Sequence, residues 1–256
     1  MKTKENDTFN QPLTDLHTHI LHGVDDGAKS LDMALEMLRM QKESGVQRVM
    51  LTSHFVLQEE PEESFLKYRR RAYKRLRHHW QENTMPEVDL GAEVRFTPAL
   101  INVDLREFTF GQRDYLLLEL PNMGVPAYLE KIVEEMLRQK ITPILAHIER
   151  CAYFRAEPDR LKKLIEMGAL AQVTARAIND KKDRCFAKTC LKKGLAHMIA
   201  SDLHVSVQEQ CLGNVAQQLD PVLVKRAEEF ALCIWENKPL PDFSVRSVRK
   251  GLFGYF

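Results

Sequence analysis

Short apolar runs alternate with amphipathic stretches along most of the chain. Each run has the length of a buried strand and is bounded by polar residues or glycine. The seven predicted strands are Leu13–His17, Arg48–His54, Val88–Val94, Tyr115–Leu120, Thr142–His147, Leu170–Ala175 and His197–Asp202. Strands that alternate with helices predict a parallel sheet, and seven such units in one chain favour a barrel over an open sheet.

The stretches between the runs have the periodicity of helices. In the first of them, Ser30 has the side chain of an N-cap residue, and Leu31, Leu35 and Leu38 share one face. Gly45 marks the end of that helix. The predicted helices are Ser30–Ser44, Glu62–Asn83, Tyr128–Lys140, Asp159–Met167, Lys181–Lys193, Glu209–Leu219 and Val222–Glu236.

Composition narrows the class of protein. The 256 residues are 44% hydrophobic and 29% charged with a net charge of +1, so the charge gives no reason to expect nucleic acid as a partner. No apolar run approaches the roughly 20 residues that span a bilayer, and the polar first residues lack a signal-peptide core. The five cysteines form no CxxC pair, which favours a reducing cytoplasm. We expect a flexible lead-in over 1–12, one domain over 13–243 and a basic, aromatic tail over 244–256.

Residue types that bind metals lie where most of the predicted strands end. His17 and His19 are two residues apart and therefore share one face of a strand, and Asp202 and His204 repeat that spacing. The nine candidate ligands are His17, His19, Asp26, His54, Glu93, Glu119, His147, Asp202 and His204. The strand ends of a β/α barrel form its active site. One zinc takes about four ligands, so nine predict two or three ions, and nitrogen and oxygen donors suit manganese, iron or zinc.

Two charged residues connect this set to phosphate chemistry. Glu119 stands in the apolar run YLLLEL, where a carboxylate costs several kcal/mol unless a metal or an ion pair compensates its burial. Neighbouring cations activate water and bind the oxygens of a phosphoryl group, which predicts phosphoryl hydrolysis. Arg150 directly follows Glu149 and can bind a phosphoryl group through two hydrogen bonds. Its alternative role is an ion pair with Glu149 or another acid of the rim.

These motifs resemble those of the PHP (polymerase and histidinol phosphatase) superfamily. More narrowly, the chain resembles the manganese-dependent protein-tyrosine phosphatases of Gram-positive capsule and exopolysaccharide operons. This resemblance runs from about Leu13 to about His204 and rests on DLHTHILHGVDDGAKS, TSH, GAEV, LLLELP, ITPILAHIERC, MGALAQVT and IASDLH. The resemblance implies a distorted seven-stranded, TIM-like β/α barrel. It also implies that a metal-activated hydroxide attacks phosphotyrosine.

The resemblance also implies three divalent ions, with manganese first and iron or zinc as alternatives. The implied ligand sets are His17, His19, Glu93 and Asp202 for one ion, Glu93, Glu119 and His147 for a second, and Asp26, His54 and His204 for a third. Arg150 is implied as the catalytic, phosphate-binding residue. The family pattern has a further arginine a few residues beyond SDxH, but this chain reads HVSVQEQCLGN there. From its position after the sixth predicted strand, Arg176 is expected to bind substrate in its place.

The implied substrate is the phosphorylated, tyrosine-rich tail of a bacterial capsule-assembly tyrosine kinase. Such a partner would bring the protein near the membrane surface, and self-association into a homo-oligomer stays open. Two other functions also stay open. One is a small-molecule PHP phosphatase that acts on a substrate such as histidinol phosphate. The other is a non-catalytic PHP module that only binds a kinase.

Overall fold

The computed structural model describes residues 11–251 and 254–255, so most of the expected lead-in lies outside the described residues. The strands are β1 (Leu13–Thr18), β2 (Val46–Leu51), β3 (His54–Phe55), β4 (Glu87–Leu90), β5 (Glu93–Arg95), β6 (Tyr115–Glu119), β7 (Thr142–Leu145), β8 (Leu170–Thr174), β9 (Met198–Ala200), β10 (Lys250–Gly251) and β11 (Gly254–Tyr255). The helices are α1 (Leu31–Glu43), α2 (Glu62–His79), α3 (Leu129–Arg138), α4 (Ala152–Ala156), α5 (Pro158–Met167), α6 (Ala175–Asn179), α7 (Arg184–Lys193), α8 (Leu212–Ala216) and α9 (Pro221–Trp235).

The strands β1 to β9 form a curled, parallel arrangement. One sheet has the order β1-β2-β4, and a second has the order β3-β5-β6-β7-β8-β9. Every pairing within these two sheets is parallel. An isolated parallel bridge joins Thr18, the last residue of β1, to Leu203, three residues past β9. The predicted α/β fold with a parallel sheet is therefore confirmed.

Two of the predicted strands are interrupted at the same level of the sheet. The run Arg48–His54 gives β2 and β3, and the run Val88–Val94 gives β4 and β5. At the break, the amide of Glu93 donates to the carbonyls of both Thr52 and Ser53, at 3.3 and 3.1 Å. Two acceptors on one strand thus oppose a single donor on the other, which is the irregularity that a β-bulge introduces. Periodicity alone cannot reveal such a break, because the backbone is extended on both sides of it.

The helices follow the predicted pattern with corrected ends. In α1 the Ser30 hydroxyl accepts a hydrogen bond from the Met33 amide at 3.2 Å, as predicted for an N-cap. The helix α2 ends at His79 instead of Asn83, because Trp80 is extended and its indole donates to the Pro86 carbonyl. The segment predicted as one helix over Glu209–Leu219 contains a 3₁₀ turn and then α8. Extended backbone at Cys211 separates these two pieces.

The last long helix packs against the interior of the curled sheet. Its Ile234 and Trp235 belong to a cluster of buried apolar side chains that the strands supply from inside the sheet. The strand members of that cluster include Leu16, Met50, Leu117, Ile144, Leu170 and Met198. Glu228 of α9 contacts Thr14, near the amino end of β1. The helix therefore lies at the amino ends of the strands and leaves their carboxyl ends open.

The contact between α9 and β1 predicts how stability depends on pH. The Glu228 carboxylate accepts from the Thr14 amide at 2.7 Å and from the Thr14 hydroxyl at 2.8 Å. Burial nevertheless raises the pKa of Glu228 from 4.5 to about 7. At pH values between 4.5 and about 7, Glu228 keeps its proton in the folded protein but loses it in the unfolded chain. The free energy of unfolding therefore falls as pH rises through this range.

Glu228→Gln should remove this loss, because the amide can satisfy both Thr14 groups without ionising. Between pH 5 and pH 8, the free energy of unfolding of the parent should fall by about 3 kcal/mol more than that of the variant. Urea unfolding at both pH values in the presence of a chelator measures the difference without a contribution from bound metal. Parallel pH dependences of the two proteins would contradict the prediction.

The described part of the basic, aromatic tail packs on the domain. The strands β10 and β11 form an antiparallel pair. The hydroxyl of Tyr255 donates to the Arg155 carbonyl at 3.0 Å, and the ring lies against Phe186 with centroids 4.9 Å apart. The helices in the described ranges include none that combines the length and the apolarity needed to cross a bilayer.

Candidate metal centre

All nine predicted ligands come to the carboxyl-end side of the parallel strands. His17 lies in β1 and His19 directly follows that strand, while His54 and Glu93 begin β3 and β5. Glu119 ends β6, His147 follows β7, and Asp202 and His204 follow β9. Asp26 belongs to the loop between β1 and α1. Of these, His17, His19, Glu93, His147 and Asp202 are buried.

Four donor atoms converge in the Glu93 cluster, which consists of His17, His19, Glu93 and Asp202. The Nε2 atoms of the two histidines are 3.1 Å apart and lie 3.0 and 3.1 Å from Glu93 Oε2. Both nitrogens also approach Asp202 Oδ1, at 3.2 and 3.4 Å. Donors held about 2.1 Å from one cation lie about 3.0 to 3.4 Å from one another. The spacing of the Glu93 cluster therefore fits a single divalent cation.

A second group, the Asp26 cluster, consists of His19, Asp26, His54 and His204. Asp26 Oδ1 lies 3.4 Å from His204 Nε2 and 3.7 Å from His54 Nε2. The rings of His19 and His204 are stacked with centroids 3.9 Å apart. The carboxylate of Asp26 is largely exposed, at 69%. The predicted trio of Asp26, His54 and His204 is thus brought together, and His19 joins it.

The surroundings of Glu119 differ from the predicted grouping. Glu119 forms a cluster with Glu93 and His54, whose Nδ1 lies 4.0 Å from Glu119 Oε2. Glu119 also accepts from Arg95 Nε at 2.9 Å. His147 approaches the other oxygen of Glu93, with Nε2 at 2.8 Å from Oε1. Among the described residues, Glu93 is therefore the carboxylate common to the groups around His17, His54 and His147.

Neighbouring polar side chains orient the histidines. His19 Nδ1 lies 2.8 Å from Asp25 Oδ2, and the same oxygen accepts from the His54 amide at 3.0 Å. Gln172 Oε1 lies 3.2 Å from His17 Nδ1 and accepts from the His147 amide at 2.9 Å. Such contacts fix the orientation of the imidazole rings, as hydrogen-bond partners of metal-ligating histidines commonly do.

The loop that carries Asp25 and Asp26 folds tightly onto His19. The amide of Ala28 donates to the His19 carbonyl at 3.0 Å, and a Cβ at Gly27 would lie only 1.9 Å from that oxygen. Residue 27 must therefore be glycine for the loop to close in this way. The VDDG motif thus supplies both the carboxylates and the glycine that lets them reach the centre.

Charges at the centre are mutually compensating. Burial opposes ionisation of Glu93, but His17 and hydrogen bonds from the surrounding imidazoles hold the pKa of Glu93 well below its usual range. The pKa of Asp202 is lowered in the same way, by His17, His19 and Arg150 against the effect of burial. Burial disfavours a charge on His19 as well, yet Asp202, Asp25 and Glu93 raise its pKa well above its usual value. The buried carboxylates are thus anionic donors that need positive charge nearby.

Two residues of the centre have a left-handed backbone. His147 has φ of 31° and Asp202 has φ of 55°. A residue other than glycine held in this region costs on the order of 1 kcal/mol or more, and such strain concentrates at functional sites. The Asp202 amide donates to the His17 carbonyl at 2.9 Å, so the strained residue is tied to β1. The backbone thus holds both side chains towards the Glu93 cluster.

Arg150 and Arg176 line one cavity beside the centre. This cavity has a volume of about 220 Å³, and Glu149, Asp180 and Asp183 also line it. The Arg150 side chain is 36% exposed and pairs with Asp202, a buried member of the Glu93 cluster, rather than with Glu149. Glu149 instead accepts from the Thr174 hydroxyl at 2.6 Å, and its burial raises its pKa. Asp183 pairs with Arg155, so the other charged residues that line the cavity are Arg150, Arg176, Asp180 and the buried Glu149.

Three polar side chains around this centre were not predicted from the sequence. Gln172 could have been predicted from the sequence, because it is a long polar residue in the middle of the mainly apolar run LAQVT. Asp25 precedes the predicted ligand Asp26 in VDDG, but its contact with His19 depends on the loop conformation. Asp15 is fully buried and accepts from the amides of Ser201 and His17 at 3.0 and 3.3 Å. It also accepts from the Gln41 side chain of α1, and its place depends on the irregular register of β1 between Asp15 and Thr18.

A curled parallel sheet with histidines and carboxylates gathered at its carboxyl ends defines an α/β protein with a site suited to several divalent cations. Comparison with known protein families identifies the family to which this protein belongs. The model of the family described as capsular polysaccharide synthesis, CpsB/CapC, matches residues 13–229. The chain belongs to this family.

Similar proteins include two tyrosine-protein phosphatases. CpsB of Streptococcus agalactiae is 28% identical over 208 residues, which cover 75% of this chain and 83% of the relative. YwqE of Bacillus subtilis is 29% identical over 202 residues, which cover 75% of this chain and 77% of the relative. A crystal structure from work on YwqE of Bacillus subtilis and CpsB of Streptococcus pneumoniae, described as metal-dependent tyrosine phosphatases, superposes with a TM-score of 0.79. That similarity covers 93% of this chain and all of the solved one at 24% identity, and it shows a shared fold.

Proposed function

We propose that this chain is a metal-dependent phosphotyrosine-protein phosphatase. The observation that carries the proposal is the convergence of three histidine ring nitrogens on Glu93, next to the ion pair between Arg150 and Asp202. The named activity of the CpsB and YwqE relatives supports phosphotyrosine as the substrate.

The proposed metal ligands are the nine residues of the centre. His17, His19, Glu93 and Asp202 would hold one ion, and Asp26, His54 and His204 another. Glu93, Glu119 and His147 would hold a third, with His54 close enough to share it. Three divalent ions, manganese first and iron or zinc next, would supply activated water and positive charge at the phosphoryl group. Asp25 and Gln172 keep the imidazoles oriented, and Arg150 binds the phosphoryl oxygens.

The finer architecture is also part of the proposal. We infer one phosphatase domain over 13–243 built on a distorted seven-stranded, TIM-like barrel, in which β2 with β3 and β4 with β5 each count as one interrupted strand. The bridge between Thr18 and Leu203 supports closure between the first and last strands.

The biological partner is inferred from the family. A family of capsular polysaccharide synthesis supports a substrate within capsule assembly, and we propose the phosphorylated, tyrosine-rich tail of a bacterial tyrosine kinase. We further propose a cytoplasmic protein that meets the membrane surface through that kinase and that can form a homo-oligomer.

The proposal is tested by coupling metal analysis to turnover. The purified protein is stripped of metal, reloaded with Mn²⁺ and assayed with a phosphotyrosine peptide and with histidinol phosphate. We expect Mn²⁺ to restore hydrolysis, with kcat/KM higher for the peptide, and His147→Ala to remove most of it. A preference for histidinol phosphate would identify a small-molecule phosphatase. A folded, metal-loaded protein that hydrolyses neither substrate would be a non-catalytic module.

Arg176→Ala is expected to lower kcat/KM for a phosphotyrosine peptide by about tenfold, mainly through KM. The reason is that Arg176 faces the same cavity as Arg150 and can add one charge-assisted hydrogen bond to the substrate. Initial rates over a range of peptide concentrations measure the effect, with Arg184→Ala on α7 as the control. An unchanged kcat/KM would remove Arg176 from the substrate site.

A further inference from the structure

An apolar loop borders the candidate metal centre between β6 and α3. Its sequence over residues 121–128 is PNMGVPAY, with no charged side chain, and all of it is exposed except the half-buried Pro126. Met123 is 78% exposed, Val125 45% and Tyr128 66%. These are three of the seven large apolar side chains exposed in the part of the chain that the structure describes. We call residues 121–128 the rim loop.

The rim loop is anchored to the centre. It begins two residues after Glu119, and the intervening Leu120 is only 2% exposed. The carbonyl of Asn122 accepts from the amide of Ala152 at 2.9 Å, and Ala152 lies two residues past Arg150. At the far end, Leu129 is buried in the first turn of α3. The loop follows the carboxyl end of β6 and therefore lies on the same side of the sheet as the centre, anchored near a proposed metal ligand and the proposed phosphate-binding arginine.

Exposed apolar side chains gathered at one place mark a contact surface, because their removal from water is favourable. The rim loop follows Glu119 in the chain and lies on the same side of the sheet as the centre, so a substrate bound in the centre is the molecule placed to meet it. The loop has no charge with which to attract an acidic segment. We infer that the rim loop binds the peptide beside the substrate phosphotyrosine and selects sequences with apolar side chains next to that tyrosine. The inference rests on the proposed function and adds a substrate class to it.

The test compares peptide substrates with a substrate that has no flanking residues. The double variant Met123→Ser, Tyr128→Ser is assayed in the metal-loaded enzyme with a phosphotyrosine peptide flanked by valine and leucine, with the same peptide flanked by glutamate, and with p-nitrophenyl phosphate. Val222→Ser is the matched control, since Val222 is 73% exposed but lies on α9, which packs at the opposite ends of the strands. The parent is expected to prefer the apolar peptide over the acidic one.

In the double variant, the ratio of kcat/KM for the apolar peptide to kcat/KM for p-nitrophenyl phosphate should fall about tenfold, mainly through KM. The Val222→Ser ratio should stay within about twofold of the parent. An unchanged ratio in the double variant, or a parent that prefers the acidic peptide, would overturn the inference. Equal losses on both substrates would also overturn it, since they would indicate damage to the centre. A metal-loaded parent that hydrolyses no phosphate ester would instead refute the proposed function on which the inference rests.

Discussion

Glu93→Gln is expected to lower kcat for a phosphotyrosine peptide by at least about 1000-fold and to reduce the metal bound per chain. Glu93 lies within 3.1 Å of ring nitrogens from His17, His19 and His147. Glutamine keeps the size of the side chain but removes the negative charge shared by these groups. A divalent cation would then lose its central anionic donor, and a neighbouring ion would lose its bridge.

Metal analysis after gel filtration, combined with initial rates, measures both effects. Glu87→Gln provides the matched control, because Glu87 is an exposed residue at the start of β4, the strand that continues into β5. Circular dichroism establishes that both variants are folded. A Glu93→Gln protein with the metal content and kcat of the parent would exclude Glu93 from the centre.

Arg150→Ala is expected to lower kcat/KM for phosphotyrosine peptides by about 100-fold or more, with the metal content retained. Its guanidinium stands beside Asp202 at the edge of the metal centre, where it can donate two parallel hydrogen bonds to phosphoryl oxygens. Arg150→Lys keeps the charge but loses the planar pair of donors. We expect its kcat/KM to lie between those of Arg150→Ala and the parent.

The control for Arg150 is Arg155→Ala. Arg155 also pairs with an aspartate, Asp183, but lies on α4, five residues beyond Arg150. If the alanine variants of Arg150 and Arg155 lost activity equally, a general effect of removing a paired arginine would replace the phosphate-binding role. Loss of metal from Arg150→Ala would assign Arg150 to holding Asp202 in place.

The sequence predicted most of what depends on alternation and on strand ends. The i, i+2 spacing of His17 and His19 placed both rings on one face, and their Nε2 atoms lie 3.1 Å apart. The convergence of residues from distant strands followed from a parallel sheet, because all its carboxyl ends meet at one edge. Their action as metal ligands remains a prediction.

Features that depend on irregular backbone were not predictable. At the break between β2 and β3, the Glu93 amide donates to the carbonyls of both Thr52 and Ser53. No residue type in the sequence indicates this irregularity. The resemblance implied that Glu119 groups with Glu93 and His147, but it lies near His54. This placement depends on the direction of the side chain, which accepts a hydrogen bond from Arg95. The left-handed backbone at His147 was likewise not predictable, because it leaves no mark on the spacing of apolar and polar residues.

The bridge between Thr18 and Leu203 joins two segments that a ribosome synthesises far apart in time. A ribosome delivers His17 and His19 some 180 residues before their partner Asp202, and the α9 contact to Thr14 can form only later still. Domains generally fold as units once their long-range contacts can form. We therefore expect cations to load only after translation of the domain is nearly complete. A ribosome-stalled chain that ends before residue 200 should expose these histidines without a functional centre.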